Sequence, residues 1–145
     1  MHTNTSETMT TREMETYEDR YRSMGYLFYS IAACDRRIIR SEIEALKEMT
    51  ARHWLVDDRS YDELGIESAR YIDIAFDHAL AGRMSYQEAY ARFEADQLRD
   101  PERFDEWTKS HILLTAIAIA KASGSVNSAE AKRLGELKKL FAIGA

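Results

Sequence analysis

One cysteine, Cys34, and one proline, Pro101, stand among 145 residues, with only six glycines. A lone thiol excludes an internal disulfide and makes a reducing compartment the simplest setting. The scarcity of proline and glycine fits long helices. Alternating runs of β-branched residues are missing, which argues against a sheet. No apolar run approaches the roughly 20 residues of a membrane span; the longest covers 112–120. The opening MHTNTSETMTTRE lacks the apolar core of a secretory signal. A soluble, cytoplasmic protein with no membrane insertion is therefore expected. Positive charge is also short: 20 Lys and Arg face 25 Asp and Glu, a net charge of −5. That balance argues against general nucleic-acid binding, which displaces counterions with positive charge. The signatures G-x-x-x-x-G-K-[ST], H-E-x-x-H and G-x-S-x-G do not occur. Neither does the E-x-x-H pair of di-iron bundles, since Thr50, Ala75 and Thr108 stand three residues before His53, His78 and His111. No enzyme is expected.

What is present reads as one all-α domain, a compact bundle of about six or seven helices. Its 45% hydrophobic content suffices for a core. Residues 1–12 look like a flexible polar tail, and 13–145 form the domain. Helix 1 is expected from about Glu13 to Cys34, with Met24, Leu27, Phe28 and Ile31 as its buried stripe. Its tyrosines are placed at the rim of the core, and Gly25 is read as a point of close helix approach. Helix 2 runs from Ser41, with Glu44 at capping-box spacing, to Trp54. Helix 3 starts at Ser60, bends near Gly65 and ends at Gly82, the natural C′ residue. On it, Asp73 and Asp77 read as a solvated acidic face. Ser85 and Glu88 cap helix 4, which ends near Leu98. Asp100-Pro101 starts helix 5, expected to reach Ala122 and to be the most buried helix, because 112–120 is apolar nearly all round. His53 reads as a helix-end residue, and His111 as a hydrogen-bonded boundary residue. Asn127 with Glu130 caps helix 6.

Two stretches repeat one pattern. Ile31-Ala32, Asp35-Arg36, Ile38, Glu42 and Leu46 recur as Ile119-Ala120, Ser123-Gly124, Val126, Glu130 and Leu134, each 88 residues on. Two related helix–loop–helix units in one domain follow from this spacing. The pattern I-A-x-x-D-x-x-[IV]-x-x-x-E-x-x-x-L resembles the TerB-like family, small all-helical domains named for bacterial tellurite-resistance proteins. Each unit departs from that family's A-D-G: Arg36 stands where glycine is usual, and Ser123 where aspartate is usual.

The resemblance implies an interaction module in a bacterial stress-response or tellurite-resistance-type assembly, working with a protein partner. It also implies, as an alternative, a divalent cation such as calcium or magnesium held by Asp35, Glu42 and Glu130. Oxygen ligands of that kind suit hard cations. Local structure offers a competing account: Asp35 at a turn, and both glutamates in first helical turns where the dipole favours them. Arg36, Arg37 and Arg40, with Lys132 and Arg133, form two basic clusters. They are either solvated faces or, if the units are neighbours, one surface for an acidic protein partner. A homo-oligomer is compatible with all of this.

Overall fold

The computed structural model describes residues 11–34, 38–55, 68–122, 124 and 126–142, with the side chains of 11–17 and 103 left aside. Among these are six α-helices: α1 Thr11–Ala33, α2 Arg40–Met49, α3 Tyr71–Ala81, α4 Tyr86–Arg99, α5 Glu106–Lys121 and α6 Ser128–Ala142. The described residues contain no strand. They also contain no helix long and apolar enough to cross a membrane. Of the expected tail, only Thr11 and Arg12 are described, and they open α1. The expected helix start at Ser60 and the bend at Gly65 lie outside the described residues.

α1 is the centre of the bundle. It packs most extensively against α3 and α4, and it also meets α5 and α6. Met24, Leu27, Phe28, Ile31 and Ala32 are fully buried, as the stripe predicts. Tyr21 is buried rather than at the rim, and its ring meets Trp54 edge-on with centroids 6.4 Å apart. The position expected for α5 thus belongs to α1. On α5, Ile112, Ala116, Ile119 and Ala120 are buried, but Leu114 is 54% exposed and Trp107 43%. An apolar sequence all round a helix does not by itself decide which side its neighbours cover. Gly25 allows the closest contact, because a Cβ there would lie 2.3 Å from the Ile72 carbonyl oxygen.

Several boundaries differ from the sequence reading. α5 does not start at Pro101. Pro101–Arg103 is a single 3-10 turn. Phe104 then leaves helical geometry, and its buried ring packs against Phe93. Asp105 caps α5 by accepting from the Thr108 N–H at 2.8 Å. α2 is capped at Ile39 rather than Ser41. The Glu42 side chain reaches back to the Ile39 N–H, which places Ser41 inside the helix. Beyond Met49 the chain widens into one π-helical turn, Thr50–Trp54, closed by the Leu55 N–H on the Thr50 carbonyl. That turn puts Trp54 in the core, where its indole N–H donates to Thr115 Oγ1 at 3.1 Å.

The acidic pair on α3 is split. Asp77 is exposed and salt-bridged to Lys47 at 2.8 Å. Asp73 is buried, so it does not join a solvated face. Thr50 Oγ1 lies 2.9 Å from Asp73 Oδ1 and 3.1 Å from the Leu46 carbonyl. Arg70 approaches the other carboxylate oxygen, Asp73 Oδ2, at 3.5 Å. Burial pushes the Asp73 carboxyl above the usual aspartate range, against the Thr50 hydrogen bond and the charges of Lys47 and Arg70.

Candidate functional site

The 88-residue repeat survives in the structure as burial and hydrogen bonding. Ile31 and Ile119 are buried, as are Ala32 and Ala120, and Leu46 and Leu134. Ile38 and Val126 are half-buried against the same core. Glu42 Oε1 accepts from the Ile39 N–H at 2.9 Å, and Glu130 Oε1 from the Asn127 N–H at 3.0 Å. Asn127 returns the bond, its Oδ1 accepting from the Glu130 N–H at 2.8 Å. The second unit thus has both halves of a capping box, and the first only the glutamate half. The units are interleaved: α2 packs chiefly on α5, the first helix of the other unit.

The residues implied as metal ligands fall out unevenly. Asp35 lies outside the described residues. Glu42 and Glu130 are 1% and 0% exposed and each commits one oxygen to a backbone N–H. Among the described residues, no three His, Cys, Asp or Glu side chains come together to hold a metal ion. Glu42 and Glu130 therefore gather no cluster of three such side chains among the described residues.

The basic residues also divide. Arg36 and Arg37 lie outside the described residues, while Arg40 and Lys132 are exposed. Arg133 is half-buried, ion-paired to Glu136 at 2.9 Å, with its guanidinium 5.4 Å from the Tyr86 ring centre and 6.0 Å from that of Tyr90. Burial, and then the charges of Glu94 and Glu136, push the Tyr90 phenol up to about 12, against Arg133. It is a neutral platform at any ordinary pH.

Tyr86 connects Arg133 to a feature the sequence reading missed. A groove of about 710 Å³ runs between the end of α1, the residue before the α2 cap, and the α3–α4 corner. Tyr29, Cys34 and Ile38 line one side, and Arg83, Ser85, Tyr86 and Gln87 the other. The first repeat unit borders it through Ile38, and Arg133 of the second lies over the ring of the lining residue Tyr86. The Tyr29 hydroxyl donates to the Met84 carbonyl at 2.6 Å and ties the two walls together.

The α3–α4 corner is built unusually. The Met84 N–H bonds the Ala79 carbonyl at 3.0 Å and the Arg83 N–H the Leu80 carbonyl at 3.2 Å, a Schellman motif. Its C′ residue is Arg83, with φ of +53°, while Gly82 before it has an ordinary helical φ of −85°. The glycine expected at C′ is thus one residue out of register. A side chain in this left-handed region is disfavoured by roughly 1 kcal/mol. Ser85 then caps α4, accepting from the Glu88 N–H at 3.1 Å, as expected.

No family model, no curated protein and no solved structure matches the chain.

Proposed function

We propose that the chain is a non-enzymatic interaction module of the TerB-like kind, serving a stress-response assembly and taking an acidic segment of a protein partner in the groove beside Ile38 and Tyr86. The observation that carries this reading is Arg83. The chain places a cation in left-handed backbone on the groove wall although a glycine stands one residue away. Strain of that sort gathers where a side chain is needed. The tyrosine rings offer apolar faces, and Arg83 offers a planar fork for carboxylates. Arg36, Arg37 and Arg40 adjoin Ile38 in sequence and extend the positive charge. The test is fluorescence anisotropy of labelled acidic peptides at low and high salt. Binding should weaken with salt, and it should weaken again in Arg83→Gly and in the triple Arg36→Glu, Arg37→Glu, Arg40→Glu. Equal binding by all three proteins would refute the reading, as would turnover of a small substrate abolished by one side-chain substitution.

A second reading is a divalent-cation site using Asp35 with Glu42 and Glu130. Complete burial of both glutamates favours it, because carboxylates are seldom fully buried as simple caps. Calcium or magnesium should then raise the melting temperature of chelator-treated protein, and Asp35→Asn should remove the shift. No shift with either ion would reject it.

A further inference from the structure

We propose that His53 and His111 form a binding site for a late divalent transition metal, copper above all. His53 lies in the π-helical turn Thr50–Trp54, and His111 lies one turn after Trp107 on α5. Their ring centres are 6.4 Å apart, with the planes inclined at 55°. Both rings are half-buried at the surface where α2 meets α5.

The His111 ring is held in the manner of a metal ligand before any metal arrives. Its Nδ1 is 2.8 Å from the Trp107 carbonyl oxygen. A carbonyl only accepts, so Nδ1 carries the proton and Nε2 keeps the lone pair. This is the outer hydrogen bond by which proteins fix the tautomer of a ligating imidazole. The ring plane is fixed as well, stacked on the Trp107 indole at 3.8 Å and 20°. Trp54 closes the third side edge-on, 6.1 Å from His111 and 5.7 Å from Trp107. The π turn supplies the partner. One extra residue in that turn lets Trp54 point into the core while His53 stays beside α5, and such turns gather at functional sites.

The separation allows one metal ion between the rings. A metal–nitrogen bond of about 2.1 Å puts the metal about 3.2 Å from each ring centre. Opposed imidazoles then have centres about 6.4 Å apart, and tetrahedral ones about 5.2 Å. The observed 6.4 Å spacing is within the span of a single ion bound by both rings. Copper binds nitrogen sites most tightly among the late divalent transition metals. Among the described residues no third His, Cys, Asp or Glu joins the pair, so water or a small ligand completes the coordination.

Trp54 and Trp107 make the site its own reporter, since bound Cu²⁺ quenches nearby indoles. The experiment titrates Cu²⁺ into the full chain and follows tryptophan emission. The expected result is a saturable quench at one equivalent, unaffected by excess calcium or magnesium. Apparent affinity should fall at least tenfold in His53→Ala and in His111→Gln, with helicity checked by circular dichroism. The quench should persist in His2→Ala and His78→Ala. Full quenching in either His53→Ala or His111→Gln, its loss in His2→Ala, or a quench that never saturates would each overturn the proposal.

Discussion

Gly25→Ala tests the central contact of the bundle. In an isolated helix this change is favourable by about 1 kcal/mol. Here the new Cβ would lie 2.3 Å from the Ile72 carbonyl oxygen and 2.8 Å from the Ala75 Cβ. The nearer atom is backbone, so no rotamer change can relieve the clash, and α1 and α3 must move apart. Overpacking of a core typically costs about 1–3 kcal/mol, and a backbone contact at the densest helix pair belongs at the upper end. Subtracting the helix-propensity gain leaves a net loss of about 2 kcal/mol. For a chain of this size that lowers the melting temperature by about 4–8 °C. Gly135→Ala is the internal control. It lies in α6, and an added Cβ there meets nothing within 4 Å. Only the propensity gain applies, so that variant should be more stable by about 1 kcal/mol. Urea unfolding followed by circular dichroism measures both, with an unchanged slope showing that the denatured state is the same. A Gly25→Ala protein as stable as the parent would refute the close α1–α3 approach.

The remaining predictions concern polar groups and backbone. Arg83→Gly should stabilise the fold by roughly 1 kcal/mol, by relieving the left-handed backbone, while weakening acidic-peptide binding; loss of stability in urea would contradict the assigned geometry. Thr115→Val should cost about 1–3 kcal/mol, because the buried Trp54 indole N–H loses its acceptor; a neutral effect on thermal unfolding would show that Trp54 finds another. Asp73 and Asp105 should respond to pH with opposite sign. Burial raises the Asp73 carboxyl above 3.8 in the folded state, so the folded protein holds that proton longer and this contribution is lost as pH rises from 3.8 through the raised value. Asp73→Asn should abolish that part of the decline in a stability–pH profile. The hydrogen bond from the Thr108 N–H holds Asp105 below 3.8, so its contribution is present above 3.8 and lost as pH falls through the lowered value. Asp105→Ala should cost about 1 kcal/mol near neutrality and flatten the acid limb.

The core was largely legible because periodicity and burial are the same information. Met24, Leu27, Phe28 and Ile31 repeat at helical spacing, and all are buried. Ala69, Ile72, Ala75, Phe76 and Ala79 behave likewise on α3 and the turn before it. The caps at Ser85 and Asn127 were legible because their side chains can make only a few local bonds. Cap register was not legible where tertiary packing chose it. Ser41 has the right chemistry to cap α2, yet Glu42 is drawn inward to full burial and shifts the start to Ile39. Gly82 has the right freedom for C′, yet the Schellman bonds fall one residue later, on Arg83. Phe104 breaks the expected long fifth helix because its ring is worth more in the core than one more helical turn is in solvent.

The groove was illegible for a different reason. Its walls come from Tyr29, Ile38, Arg83 and Tyr86, which belong to segments with no common periodicity. The repeat, by contrast, was visible in sequence, and the described residues show the local bonds it makes. The family resemblance implied that Glu42 and Glu130, with Asp35, share one external cation. In the structure each glutamate serves its own backbone, Ile39 in one unit and Asn127 in the other. A residue that recurs because every copy of a turn needs the same internal bond is indistinguishable, in one sequence, from a residue that recurs to meet a ligand. Arg83 escapes that ambiguity. It lies in neither repeat, and the Schellman bonds hold it in left-handed backbone although a glycine stands next to it. The left-handed residue, rather than the repeated one, is therefore where the proposed docking of an acidic segment is best tested.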